Sequence, residues 1–220
     1  MQQLILNLDL SRPPSLSSFV TGRNAELLAA LREVEANLPR ERFLYLWGEH
    51  GAGKTHLLQA VAANRGVFIS VSKETRIDAA LADAPLVAVD GVDLLSEAGA
   101  IDLFNVYNGM REAGGVLLAN GPCPPTQLKL RPDLMTRLAW GLVFQVHTLT
   151  DEEKISALQA HAKARGFNLG HEVGHYLLTH WRRDMLSLFA ALEALDKYSL
   201  ELKRPITLPL LREALKLLPP

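Results

Sequence analysis

The sequence predicts an α/β domain built on a phosphate-binding loop, with a five-stranded parallel sheet, followed by a small all-α domain. The stretch from Gly48 to Thr55 reads G-E-H-G-A-G-K-T and fits the phosphate-loop pattern G-x-x-x-x-G-K-[ST]. Strand-like and helix-like segments alternate up to about residue 149, and only helix-like patterns occur after it. We therefore expect an α/β domain at residues 15–149 and a helical domain at 150–220.

Composition narrows the class of protein. The chain has 220 residues, of which 48% are hydrophobic, so a sizeable core can form. The formal net charge is −1, which gives no global positive field to hold nucleic acid, so DNA contact would be local or made through a partner. The single cysteine, Cys123, excludes an intramolecular disulfide and fits a reducing compartment. No apolar run approaches the ~18 residues of a spanning helix, so we expect a cytoplasmic protein without membrane contact.

The first 14 residues form a separate segment in this reading. Leucines alternate with other residues from Leu4 to Leu10, which is a period-two pattern, and Pro13 and Pro14 detach the segment from the α/β domain. This pattern fits two roles equally: an edge strand, or a tethered peptide that binds in a groove of another protein.

The phosphate loop lies between a strand-like and a helix-like segment. Residues 43–47 are apolar and aromatic, and residues 56–62 are good helix formers. A strand, a glycine-rich turn and a helix N-terminus aim backbone N–H groups and the positive end of the helix dipole at one point, which suits phosphates. Lys54 would reach the terminal phosphates, and Thr55 would hold Mg²⁺.

Other elements are predicted from apolar periodicity. A helix precedes the loop, with Leu27, Leu28, Leu31 and Val34 on one face, and a further helix is expected from Asp102 to Arg111. Apolar runs closed by polar or turn residues predict four more strands, at residues 66–71, 85–90, 116–120 and 143–146.

The third strand ends in Asp90, where phosphate-loop proteins place an acid that coordinates Mg²⁺, so Asp90 should pair with Thr55. Hydrolysing members of that broad class usually carry a second acid directly after the first. Here that position is Gly91. The sequence therefore indicates a complete nucleotide-binding site with damaged hydrolytic machinery.

Two further polar residues are candidates for the site. Asn120 ends the fourth strand, where it could approach the γ-phosphate or its water, although a strand-ending Asn before Gly121-Pro122 is also common turn chemistry. A short helix beginning at Pro132 carries Arg137.

Helices alone are expected after Thr150, whose hydroxyl and the carboxylate of Glu153 can form a capping box. Arg182 and Arg183 lie at the start of the third of four helices. They are either a solvated pair, or one of them folds over the nucleotide phosphates. Residues 171–175 satisfy the zinc-binding pattern H-E-x-x-H, with Glu193 as a conceivable third ligand. We assign no zinc site, because Gly174 weakens the helix that the pattern requires and the flanking apolar residues fit a core.

The motifs together resemble the AAA+ ATPases of the bacterial replication-initiator group, in particular the DnaA-related regulators of initiation. The resemblance covers nearly the whole chain. Its motifs are Phe19-Val20-x-Gly22-x-Asn24, Tyr45-Leu46-Trp47-Gly48 into the phosphate loop, Asp90, Pro124-Pro125-x-Gln127-Leu128, Pro132-Asp133-Leu134-x-x-Arg137-Leu138-x-Trp140-Gly141 and Arg183-Asp184-Met185-x-x-Leu188-Phe189.

The resemblance implies roles for individual residues. Arg137 matches the arginine finger that one subunit presents to a neighbour's γ-phosphate, and Asn120 and Arg183 match the first and second sensors. The segment with Gln3, Leu4, Leu6 and Leu8 resembles the peptide that docks on the β sliding clamp, which favours the peptide reading of the N-terminus. The residues implied to hold ADP or ATP are Gly48, Gly51, Ala52, Gly53, Lys54, Thr55, His56, Asn120 and Arg183, with Thr55 and Asp90 on Mg²⁺.

The implied function is that of a regulator. With DNA-loaded clamp it would stimulate hydrolysis of ATP bound to the DnaA initiator and so prevent re-initiation, with weak or no ATPase activity of its own. We expect a homo-oligomer that meets DNA mainly through the clamp, and we expect no helix-turn-helix domain like that of the initiator after the helical domain. The alternatives are an independent ATPase of the helicase-loader type and a non-enzymatic adaptor of the clamp-loader type.

Overall fold

A parallel sheet with helices on both faces forms the first part of the chain. The computed structural model describes residues 13–217 and divides them into two compact units, Pro13–Thr148 and the residues from Leu149 onward. The sheet within the described residues has five strands in the order β2-β3-β4-β1-β5. The strands are β1 (Phe43–Trp47), β2 (Val67–Ser70), β3 (Leu86–Asp90), β4 (Val116–Gly121) and β5 (Leu142–Gln145).

Apolar side chains alternate between the two faces of this sheet, so two cores form. Leu44 and Leu46 of β1 pack in one core with residues of α1 and α2, while Tyr45 packs in the other with residues of α3 and α4. The fold is therefore a three-layer α/β/α arrangement, and the predicted α/β class with a five-stranded parallel sheet is confirmed. These helices are α1 (Ala25–Glu35), α2 (Lys54–Ala62), α3 (Glu97–Ala113) and α4 (Pro132–Trp140).

The parallel register brings the polar strand ends to one edge of the sheet. Leu46 aligns with Asn120, and Val89 aligns with Ala119, so the residues after β1 and those that end β3 and β4 lie side by side. Asn24, which is buried, holds the start of α1 to this framework, since its side chain exchanges two hydrogen bonds with the backbone of His147 at 2.8 and 3.0 Å.

The second unit consists of helices and the loops between them in the part that the structure describes. Its helices are α5 (Asp151–Ala164), α6 (His171–His180), α7 (Met185–Leu202) and α8 (Leu208–Leu215). All four contribute to one apolar core. The predicted capping box is present: the Thr150 hydroxyl accepts a hydrogen bond from Glu153 N, and the Glu153 carboxylate accepts one from Thr150 N.

Some boundaries differ from the predicted ones. Helix α3 begins at Glu97 rather than Asp102, because the Ser96 side chain caps it by accepting from Gly99 N at 3.2 Å. Arg182 and Arg183 precede α7 instead of starting it, since Asp184 is the cap of that helix. Residues 3–10, predicted as a strand or a docking peptide, lie outside the described residues. Within the described residues, no helix has the length and apolar character needed to cross a membrane.

Candidate functional site

The loop between β1 and α2 has the backbone shape of a phosphate cradle. Gly48, Gly51 and Gly53 have positive φ angles of 152°, 78° and 93°. At Gly53 a Cβ atom would also lie 2.7 Å from the Phe19 ring, so only glycine fits there. No side chain caps the N-terminus of α2, which leaves its first amides free to bind an anion. This loop therefore fits the phosphates of a nucleotide.

Lys54 lies folded over the loop that precedes it. Its ammonium group donates hydrogen bonds to the carbonyl oxygens of Gly48 at 2.7 Å and Glu49 at 2.8 Å. Burial lowers the pKa of Lys54, and the carboxylates of Asp90 and Asp93 oppose that shift. An anionic ligand bound in the loop would also favour the charged ammonium form of Lys54, because it would attract the positive charge as those carboxylates do.

A hydroxyl and a carboxylate meet beside the loop. Thr55 Oγ1 donates to Asp90 at 2.9 Å from Oδ1 and 3.1 Å from Oδ2. These are hard oxygen ligands of the kind that Mg²⁺ uses alongside nucleotide phosphates, so the pair fits a magnesium ion chemically. The predicted pairing of the two residues is present.

Asn120 joins the ends of two strands. Its side chain is buried, and its amide nitrogen donates to Asp90 Oδ1 at 2.5 Å while its amide oxygen accepts from Gly91 N at 2.6 Å. The side chain thereby orients the Asp90 carboxylate and fixes the backbone after it. Sequence reasoning placed Asn120 in the site but missed these two contacts, because they depend on how the ends of β3 and β4 are brought together in the folded sheet.

The segment before α1 packs against the start of α2. His56 Nε2 lies 3.1 Å from the Ser15 carbonyl oxygen and 3.2 Å from the Ser18 hydroxyl, and its ring lies beside that of Phe19. Burial lowers the pKa of His56, and the contact with Ser15 partly opposes this. Ala52 is buried in the loop. Ser15 and Ser18 had not been predicted here, and no motif marks them in the sequence.

Arg137 is held by aromatic rings. Its guanidinium carbon lies 4.0 Å from the centroid of the Trp140 ring, 5.6 Å from that of Phe104 and 6.0 Å from that of Tyr107. Its Nε is buried without a hydrogen-bond partner among the described residues. No carboxylate of residues 13–217 forms an ion pair with it. The cation is therefore positioned but not neutralised.

The second unit carries Arg182 and Arg183. The Arg183 guanidinium donates to the Asp151 carboxylate, and Arg182 lies 3.7 Å from that of Asp184. Both side chains are mostly exposed. Arg183 thus ties the loop before α7 to the start of α5, and its predicted role as a sensor stays a prediction.

The H-E-x-x-H residues lie on α6. His171, Glu172 and His175 line a cavity of about 430 Å³ together with Leu208. Glu193, the conceivable third zinc ligand, instead lies 3.3 Å from His161 Nε2 and 3.5 Å from Arg165 Nη1. Within residues 13–217 no group of three or more His, Cys, Asp or Glu side chains is arranged to hold a metal ion.

The predicted clamp-binding residues Gln3, Leu4, Leu6 and Leu8 lie outside the described residues. Their role stays a prediction from the sequence.

Two family models match parts of the chain. Residues 10–83 match the bacterial DnaA ATPase domain, and residues 151–215 match the Hda lid domain. The first match contains the phosphate loop, and the second spans nearly all the described residues of the helical unit.

Solved structures agree with the fold. AMPPCP-bound DnaA from Aquifex aeolicus is 20% identical, with a TM-score of 0.68 over 88% of this chain and 68% of its own. Domain III of the replication initiation protein DnaA from Thermotoga maritima is 21% identical, with a TM-score of 0.69 over 92% and 95%. A RuvB mutant from Thermotoga maritima is 15% identical, with a TM-score of 0.66 over 93% and 73%. At these identities the likeness establishes an AAA+ fold with a helical lid.

Proposed function

We propose that this chain, whose residues 10–83 match the bacterial DnaA ATPase domain and whose residues 151–215 match the Hda lid domain, is a DnaA-related AAA+ protein that regulates replication initiation by acting on another ATPase. Together with DNA-loaded β sliding clamp, it stimulates the hydrolysis of ATP bound to the DnaA initiator. The initiator is thereby returned to its ADP form, and re-initiation is prevented.

The chain's own site holds a nucleotide in this proposal. The amides at the start of α2 and the Lys54 ammonium bind the phosphates of ADP or ATP, while Thr55 and Asp90 hold Mg²⁺, which neutralises phosphate charge when bound. The similar DnaA structure from Aquifex aeolicus contains AMPPCP, an ATP analogue, which supports nucleotide binding by this fold. Arg183 contributes a cation from the lid.

Intrinsic hydrolysis is weak because the site has no second acid after Asp90. Gly91 occupies that position with a φ of 85°, and its backbone N–H is engaged by Asn120. An attacking water would have no carboxylate there to polarise it. The bound nucleotide then acts as a conformational ligand more than as a substrate.

The observation that carries the proposal is the state of Arg137. An arginine finger must stabilise charge that develops on a neighbour's phosphates, and such a residue contributes ~10³ to 10⁵ in rate. Arg137 is held by aromatic faces and has no carboxylate partner among the described residues, so its full charge is available.

The N-terminal segment supplies the link to DNA. Gln3, Leu4, Leu6 and Leu8 bind the groove of the β sliding clamp as an extended peptide. DNA is then reached mainly through the clamp, which accords with a net charge of −1. The protein acts in the cytoplasm, and we further propose that it assembles with copies of itself.

An ATPase assay of DnaA with clamp and DNA tests the proposal. We expect the wild-type protein to accelerate hydrolysis of DnaA-bound ATP only when loaded clamp is present. Arg137→Ala should lose about a hundredfold or more of that acceleration. Arg40→Ala is the matched control, since Arg40 is an exposed arginine paired with Glu33, and it should behave as wild type.

Full activity of Arg137→Ala would refute the finger assignment. Substantial ATP turnover by the purified protein alone, unaffected by clamp, would instead favour an independent ATPase of the helicase-loader type.

A further inference from the structure

The aromatic residue that ends α4 lies against the guanidinium of Arg137. Trp140 is three residues after Arg137, so the two side chains share a face of the helix. Of the three rings around the Arg137 guanidinium, that of Trp140 is nearest, with 4.0 Å between the guanidinium carbon and the ring centroid. The guanidinium carbon of Arg111 on α3 lies 5.3 Å from the same centroid. The indole of Trp140 therefore lies against two cations, Arg137 and Arg111.

The position of Trp140 is fixed by the backbone immediately after it. A Cβ atom at Gly141 would lie 1.9 Å from the carbonyl oxygen of Phe43, so α4 ends in direct contact with the start of β1. Phe43 in turn packs its ring against that of Tyr107, at 4.2 Å between centroids. The end of α4 that carries Trp140 is thus held against the central sheet, although the residue itself is 54% exposed.

An aromatic support suits an arginine that must act on phosphate. A carboxylate partner would position the guanidinium but would also neutralise it and compete with the phosphate. The face of an indole attracts the cation and leaves the in-plane N–H groups free to donate. The observed contacts are of this kind, since the Arg137 guanidinium lies over the Trp140 ring and no carboxylate of residues 13–217 forms an ion pair with it.

We infer that Trp140 is a positioning residue for Arg137: it holds the guanidinium in the orientation needed for catalysis on the neighbouring ATP without touching that ATP itself. The rings of Phe104 and Tyr107 also lie near the Arg137 guanidinium, and Arg111 packs on the indole from α3. This inference rests on the proposed function of Arg137.

The test is the single-turnover hydrolysis of DnaA-bound ATP, measured over a range of concentrations of this protein with loaded clamp. Trp140→Leu keeps apolar bulk but removes the ring face, and we expect it to lower the maximal rate about 3- to 30-fold. The half-saturating concentration should change by less than about twofold, because positioning affects the transition state and not docking. Trp140→Phe restores a ring and should recover most of the rate.

Two controls separate positioning from other effects. Leu38→Ala removes another exposed apolar side chain, 77% exposed, and should leave both parameters at wild-type values. The double variant Arg137→Ala, Trp140→Leu should be no slower than Arg137→Ala alone, since Trp140 acts through the arginine.

Failure of this inference and failure of the proposed function would give different results. If Arg137→Ala is inactive while Trp140→Leu matches wild type, the inference is wrong and the proposed function stands. If Trp140→Leu changes only the half-saturating concentration, Trp140 is a docking contact and the inference is again wrong. If Arg137→Ala retains full activity, the proposed function fails and the inference fails with it.

Discussion

At the scale of single residues, the Asn120 side chain ties the end of β4 to the end of β3. Its amide donates to the Asp90 carboxylate and accepts from Gly91 N, while Thr55 donates to the same carboxylate. The Thr55–Asp90 contact could be predicted from sequence, because parallel strands end at one edge of a sheet. The Asn120–Gly91 contact could not, since it depends on where the folded backbone after β3 places its N–H, which no motif encodes.

Asn120→Ala should destabilise the protein by about 1–3 kcal/mol, because it removes a buried side chain and leaves the Gly91 N–H and the Asp90 carboxylate without that partner. Asn120→Asp keeps an acceptor for Gly91 but places a second carboxylate beside Asp90. Its destabilisation should therefore grow as pH rises from 5 to 8, whereas that of the alanine variant should stay constant. Urea unfolding at the two pH values measures both, with the exposed Asn105→Ala as control.

Parallel pH behaviour of the Asp and Ala variants would contradict the contact between Asn120 and Asp90. A stability of Asn120→Ala equal to that of Asn105→Ala would contradict the role of the buried amide.

His56 predicts a second pH effect. Burial holds its pKa below the ordinary value of 6.5. The contribution of His56 to stability is therefore fully present above about pH 6.5, where it is neutral folded or unfolded, and is lost as pH falls through the folded-state pKa. We expect His56→Gln to show a smaller loss of unfolding free energy between pH 7.5 and pH 5 than the wild-type protein. An equally steep or steeper loss in the variant would contradict this account of His56.

At the scale of elements, the sequence predicts most of the architecture because apolar periodicity marks the strands and helices well. The five strands, the helix after the phosphate loop and the four lid helices were all expected. The start of α3 was not, because Ser96 and the residues up to Ala100 have no strong apolar period. There the helix depends on a capping hydrogen bond and on the packing of Gly99 and Ala100, which only the tertiary structure reveals.

Substitution by alanine should change stability in opposite directions at Gly91 and at Gly174. Gly91 has a φ of 85°, so Gly91→Ala should cost about 1–2 kcal/mol. Gly174 lies inside α6, and a Cβ there would make an ordinary contact of 3.4 Å with Ile155, so Gly174→Ala should raise stability by up to about 1 kcal/mol. Thermal unfolding of the two variants beside wild type measures both effects. Stabilisation by Gly91→Ala, or clear destabilisation by Gly174→Ala, would contradict these backbone assignments.

At the scale of the whole molecule, the two units carry different parts of the proposed function. The α/β unit contains the phosphate loop at the ends of its strands and Arg137 on α4, whereas the lid contributes Arg183. The family resemblance could be read from the sequence because its motifs span both units. The aromatic support of Arg137 could not, since Phe104, Tyr107 and Arg111 are separated from it in sequence and meet it only through packing.

The central claim is that this chain retains its nucleotide while ATP is hydrolysed on its partner, and a single-turnover experiment with two labels tests it most directly. This chain would be loaded with ATP that carries one radioactive label, and DnaA would be loaded with ATP that carries a different one. The two loaded proteins would then be mixed with DNA-loaded clamp. We predict rapid phosphate release from the ATP on DnaA, with the label on this chain largely unhydrolysed over the same period. Faster release from this chain than from DnaA would contradict the claim.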